Sequence, residues 1–134
     1  MGTSLLRNRR GAAAIEFAFL VIPVVVITTG VLDYGWFFYQ QSAMMDAGRA
    51  AVRVASMTAT ENDPEGVAKA ELEDLLDGMA ISTTELEIEF GMTASGDANV
   101  ITLTASVPYE PLLGLLPPPD FLNARVSMVH EFPP

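Results

Sequence analysis

Three glutamates stand at alternate positions in "ELEIEF", and a fourth, Glu16, stands alone in an apolar run near the start of the chain. Carboxylates bind cations and move protons, so both places could carry chemistry. Glu85, Glu87 and Glu89 alternate with Leu86, Ile88 and Phe90, the period of a strand with one wet and one apolar face. A glutamate row on the wet face is read as a solvated surface that also discourages edge pairing. Glu16 is a different case. From Gly11 to Leu32 it is the only ionisable residue. A charged side chain at the centre of a membrane helix costs roughly 2.5–3.5 kcal/mol, and less near the interface. Either a partner offsets that cost or the side chain reaches the nearby interface.

The remaining groups assemble no catalytic set. The sequence has no cysteine, and His130 is its one histidine, without a second to share a metal. His130 falls near the end of an expected strand, where a surface or packing role is its expected state. "ENDPE" is acidic but lacks the ligand spacing of a calcium loop, and no glycine-rich loop would cradle a phosphate. The net charge is −10, with no basic stripe to neutralise a nucleic-acid backbone. The expectation is a protein that is not an enzyme, without metal or cofactor and without a nucleic-acid partner.

The stretch Gly11 to Leu32 would make a helix on the order of 30 Å long, the thickness of a bilayer's hydrocarbon core. Apolar on every face, it reads as a membrane span. Three of the seven basic residues, Arg7, Arg9 and Arg10, precede it, while all seventeen acidic residues follow Gly11. That asymmetry keeps the N-terminus in the cytoplasm and exports the remainder. A cleaved secretory signal would need a shorter apolar region with a small-residue site behind it. Here the run is followed by Asp33-Tyr34-Gly35-Trp36-Phe37-Phe38-Tyr39, and the small residues Gly11 to Ala14 come before it.

In "RRGAAAIEF" a basic peptide ends in glycine, an alanine follows, and a glutamate stands five places after the glycine with Phe17 beside it. This resembles the processing site of type IV pilins and, more closely, of Flp pilins and pseudopilins of tight-adherence (Tad) systems. The likeness extends through Pro23 within the helix, the step Asp33-Tyr34-Gly35, an aromatic cluster, and a small-residue stretch holding Arg49 and Arg53. Over roughly residues 11–56 the chain resembles the TadE-like family of minor pseudopilins. The resemblance implies that a prepilin peptidase cuts between Gly11 and Ala12 on the cytoplasmic side. Residues 1–11 would be the leader, 12–34 the transmembrane helix and 35–134 an extracytoplasmic pilin-like domain. It also implies that Glu16 pairs with the freed N-terminal amine of an adjacent subunit. Ala12 and Glu16 are related as i and i+4, so amine and carboxylate share one helix face. The implied partners are the membrane, the peptidase and other pilins, a second TadE-like protein among them.

Beyond the span, Trp36, Phe37, Phe38 and Tyr39 fit an interfacial aromatic belt. Met44, Ala47, Ala51, Val54 and Met57 recur at helical spacing, so the helix should continue with one apolar face and end near Thr58. Arg49 and Arg53 share another face, with Asp46 placed for an ion pair. Pro23 removes a helix hydrogen bond and is expected to bend the helix. Asp63 and Pro64 read as the N-cap and first position of a second helix, with Ala68, Leu72, Leu75, Leu76 and Met79 on its apolar side and an end near Gly78. A turn at Ser95-Gly96-Asp97 leads into a second strand with Ile101, Leu103, Ala105, Val107 and Tyr109 facing inward. The apolar loop "PLLGLLPPP" closes the core or meets a partner, and the core is the reading adopted. A third strand places Ala124, Val126 and Met128 opposite in facing to Arg125 and Ser127. The fold class is α+β: a long N-terminal helix, a second helix and a roughly three-stranded antiparallel sheet.

Two functions compete on these residues. One is a minor pseudopilin that helps a Tad/Flp pilus or secretion machine assemble, lodged in the inner membrane or within the pilus. The other is an uncleaved single-pass anchor presenting an interaction domain. An exported hydrolase would need a signal-peptidase site and catalytic residues, and the sequence offers neither. Gly11 and Glu16 separate the first two, because an anchor needs neither.

Overall fold

The computed structural model describes residues 6–79, 81–95 and 98–130, with backbone alone at 6–10 and 95. Helix α1 runs Leu6–Ser56, 51 residues in one piece and about 75 Å long. It passes through Pro23 without interruption. Further along the apolar stretch, the hydroxyls of Thr28 and Thr29 donate to the carbonyls of Val24 and Val25 at 2.8 and 2.9 Å. Each hydroxyl is thus satisfied within the helix.

A 3₁₀ turn at Thr60–Asn62 leads into α2, Pro64–Gly78. Asp63 caps it as its sequence implies: the side chain accepts the Gly66 N–H at 3.1 Å, and Pro64 opens the helix. Asp63 takes a left-handed backbone, φ 52°, a conformation that aspartate tolerates better than most residues. A Cβ on Gly66 would strike the Asp63 carboxylate, so a larger residue there would displace the capping side chain.

The sheet has order β1-β2-β3, antiparallel throughout: β1 Glu87–Ser95, β2 Ala98–Pro108 and β3 Phe121–His130. The expected turn at Ser95-Gly96-Asp97 includes residues outside the described ones. Register pairs Glu89 with Thr104 and Thr104 with Arg125, so one face carries the polar side chains. The other face places Ile101, Leu103, Ala105 and Val107 of β2, with Leu122 and Ala124 of β3, in the core. Helix α2 adds Ala68, Leu72 and Leu76, and α1 adds Met44, Ala47, Ala51, Val52 and Ala55. Burying such side chains is worth about 25 cal/mol per Å² of apolar surface.

Strand β3 runs alongside α1 in the same direction. Gln41 exchanges hydrogen bonds with the backbone of Asn123, Ser56 Oγ lies 3.4 Å from the Met128 sulfur, and His130 Nε2 lies 2.9 Å from the Thr58 carbonyl oxygen. The two paths match in length. The helix rises about 22 Å from Gln41 to Ser56, with the turn to Thr58 beyond it, and seven strand steps from Asn123 to His130 span about 24 Å.

Three expectations are corrected. The apolar face of α1 rotates away from Val54 and Met57, which are exposed, and onto Val52 and Ala55. A helix covered on two sides, by α2 and by the sheet, needs a wider buried arc than one stripe. Phe37 leaves the aromatic belt and packs on the core, its ring 5.2 Å from Tyr109 and nearly perpendicular to it. The apolar loop does not close the core: Leu112, Leu113 and Leu115 are 59, 52 and 66% exposed. Only Leu116 is half-buried, and it leans on α1 at Gly30, where an added Cβ would come within 2.6 Å of its Cδ1.

Candidate functional site

Gly11, Ala12, Glu16 and Phe17 all lie on α1 with their surfaces exposed. A Cβ built on Gly11 would meet nothing within 4 Å. Ala12 and Glu16 stand one turn apart on one face, about 6 Å along the axis. Among the described residues Glu16 has no hydrogen bond and no ion pair. Around it Ile15, Phe17, Phe19 and Leu20 are likewise exposed, so this part of the helix presents apolar surface on all sides with a single carboxylate in it. Whatever meets Glu16 must come from outside the chain's own described fold.

The charged pair farther along is plainer. Arg49 reaches Asp46 at 2.7 Å, three residues back and open to water on both sides. Such a pair is worth a few tenths of a kcal/mol. Arg53 is exposed and enters no ion pair among the described residues. Glu85, Glu87 and Glu89 are all exposed. Among the described residues no group of three His, Asp or Glu side chains is placed to hold a metal ion.

The most highly organised polar site is one that sequence reasoning passed over. Asp33 is only 4% exposed, although it sits at the end of the apolar stretch. One carboxylate oxygen accepts the Leu113 N–H at 2.8 Å and the other accepts the Gly114 N–H at 3.1 Å. Gly114 has φ 66°, a left-handed conformation that costs a glycine little and turns consecutive N–H groups toward one acceptor. The Tyr109 hydroxyl donates to the Asp33 backbone carbonyl at 3.1 Å, and the Tyr34 hydroxyl to the Pro117 carbonyl at 3.2 Å. Burial pushes the Tyr109 phenol above its usual value, and the Asp33 charge adds to the shift. Helix and loop are therefore locked at the level where α1 leaves its apolar stretch. The signals in the sequence were an acidic residue directly after an apolar run and a loop too apolar for water.

Taken together, these features describe a protein with one N-terminal helix long and apolar enough to cross a membrane and a small α+β domain on its far half. Residues 11–53 match the family model of the TadE-like protein, the family that "GAAAIEF" and the residues after it resemble. No curated protein and no solved structure matches the chain. The N-terminal helix is long and apolar enough to serve as a single-pass membrane anchor.

Proposed function

We propose that the chain is a minor pseudopilin of a Tad/Flp-type pilus or secretion machine, cut by a prepilin peptidase between Gly11 and Ala12. The observation that carries this reading is the lone, unpartnered Glu16 one turn beyond Ala12 on an otherwise apolar, exposed helix. A carboxylate there is unfavourable for a simple anchor. It becomes favourable when an ammonium lies opposite, and cleavage after Gly11 creates that ammonium on Ala12. In a helix packed beside others, the amine of one subunit meets Glu16 of its neighbour. The start of the family match at residue 11 supports the same boundary, with the first ten residues lying outside the shared segment. Gly11 suits a cleavage site, since glycine weakens a helix by about 1 kcal/mol relative to alanine and eases local unwinding.

On this reading residues 1–11 are the leader and 12–34 span the inner membrane with the N-terminus cytoplasmic, as the arginines dictate. Residues 35–134 stand outside the cytoplasm, and other pilins are the assembly partners. The chain is then a substrate of an enzyme and performs no reaction of its own. Co-expression with a prepilin peptidase tests it. The wild-type chain should shift to the mass of residues 12–134, whereas Gly11→Leu should remain full length. Equal processing of both variants, or of neither, would sink the proposal.

A further inference from the structure

We infer that the loop between β2 and β3, Pro111–Pro119, dips into the outer leaflet of the bilayer that α1 spans, with Leu112, Leu113 and Leu115 against lipid acyl chains. The inference rests on the reading of residues 12–34 as the membrane span.

The loop's height along α1 is fixed by contacts. Asp33 holds the N–H groups of Leu113 and Gly114, Tyr34 holds the Pro117 carbonyl, and Leu116 touches Gly30. Gly30 lies two residues inside the end of the apolar stretch at Leu32, about 3 Å below it. The loop therefore sits beside the last turn of the span. On the same turn Ile27, Val31 and Leu32 are exposed, so the leucines extend an apolar surface that the bilayer already covers.

Backbone chemistry fits the same occupant. Hydrocarbon penalises every unsatisfied N–H, which is why irregular loops avoid it. This loop has five N–H groups: Pro111, Pro117, Pro118 and Pro119 have none, and Asp33 takes those of Leu113 and Gly114. Those of Leu112, Leu115 and Leu116 keep the backbone at the headgroup level while the leucine side chains reach the acyl chains. Glu110 and Asp120, both exposed, bracket the loop and hold its base in water, which limits the dip to the leucine tip. Tyr34, Trp36 and Tyr39 lie at the adjoining level of α1, where aromatic side chains favour the interface.

The chain has no cysteine, which permits a clean depth measurement. Leu113→Cys and Leu115→Cys, each labelled with a nitrobenzoxadiazole dye, are reconstituted as full chains into phosphatidylethanolamine–phosphatidylglycerol vesicles. The vesicles carry doxyl quenchers placed shallow or deep on the acyl chains. Ile22→Cys marks the span and Glu73→Cys the outer domain. The loop labels should emit blue-shifted light and lose more intensity to the shallow quencher than to the deep one. Ile22 should show the opposite order, and Glu73 neither effect. Leu113→Trp in a Trp36→Phe background, read with brominated lipids, gives the same depth without a dye. Loop probes that behave like Glu73 while Ile22 is quenched would overturn the inference and leave the span standing. An unquenched Ile22 would remove the span and the inference with it. Loop probes that are blue-shifted yet unquenched at both depths would place the leucines against protein, not lipid, and also overturn it.

Discussion

Asp33 on α1 accepts hydrogen bonds from the backbone N–H groups of Leu113 and Gly114, 80 and 81 residues farther along the chain. One carboxylate thereby fixes the loop that joins β2 to β3. Hydrogen bonds to a charged acceptor contribute about 1.5–3 kcal/mol, and a buried N–H without a partner costs about 1–3 kcal/mol. Asp33→Ala should lower the stability of the detergent-solubilised chain by about 2–4 kcal/mol. Asp33→Asn, which keeps one acceptor oxygen, should lower it by about half as much. Thermal unfolding measures the loss. Amide hydrogen exchange locates it, with Leu113 and Gly114 exchanging faster in both variants.

Tyr109 gives this junction an alkaline limit. Its folded pKa is raised above the ordinary 10.0 by burial and then by the Asp33 charge. A raised phenol pKa means that the neutral form is favoured in the fold. Its contribution is complete below pH 10.0 and is lost as pH climbs through the raised folded value. Melting temperature should therefore fall more steeply above that pH in the wild type than in Tyr109→Phe. The phenolate absorbance step that disappears in Tyr109→Phe should lie above 10.0. A step at or below that value would show that burial does not govern the phenol.

The cap of α2 offers a local test. Asp63→Ala removes the acceptor for the Gly66 N–H and should cost about 1 kcal/mol. Gly66→Ala should cost at least as much, because its Cβ pushes the Asp63 carboxylate out of the capping position. The double variant should be less destabilised than the sum of the two, since both act on one contact. Additive losses in chemical denaturation would mean that the two residues act separately.

What was readable in the sequence follows from how local the signal is. The alternation of Glu87 and Glu89 with Ile88 and Phe90 fixes a strand's facing within a few residues. The pair Asp63-Pro64 likewise announces a helix start, and a long apolar run announces a helix long enough to cross a bilayer. The rest depends on partners far away in the chain. Nothing near Phe37 distinguishes a belt residue from one that packs on Tyr109, and nothing near Leu113 names Asp33 as its anchor. Val54 and Met57 fit one helical stripe as well as Val52 and Ala55 fit another. Only the position of the sheet and α2 decides between them. Gly11 and Glu16 are a different matter, because the roles expected of them involve a peptidase and a neighbouring subunit, and a single chain contains neither.

Glu16→Gln probes the assembly role. A neutral amide is easier to place in hydrocarbon than a carboxylate, so insertion and cleavage should persist. Recovery of the variant with other pilins from crosslinked membranes should fall, and piliation with it. Glu16→Asp should restore only part of the loss, because the shorter side chain draws the charge back from the neighbouring amine. Wild-type assembly by correctly cleaved Glu16→Gln would make the carboxylate a bystander.

The intact mass of the protein extracted from the membranes of its native cell tests the central claim most directly. A pseudopilin processed as proposed begins at Ala12, and its mass should equal that of residues 12–134, with any modification of the new amine as a small addition. A chain that begins at Met1, or at Gly2 after loss of the initiator methionine, would contradict the account and leave an uncleaved anchor in its place.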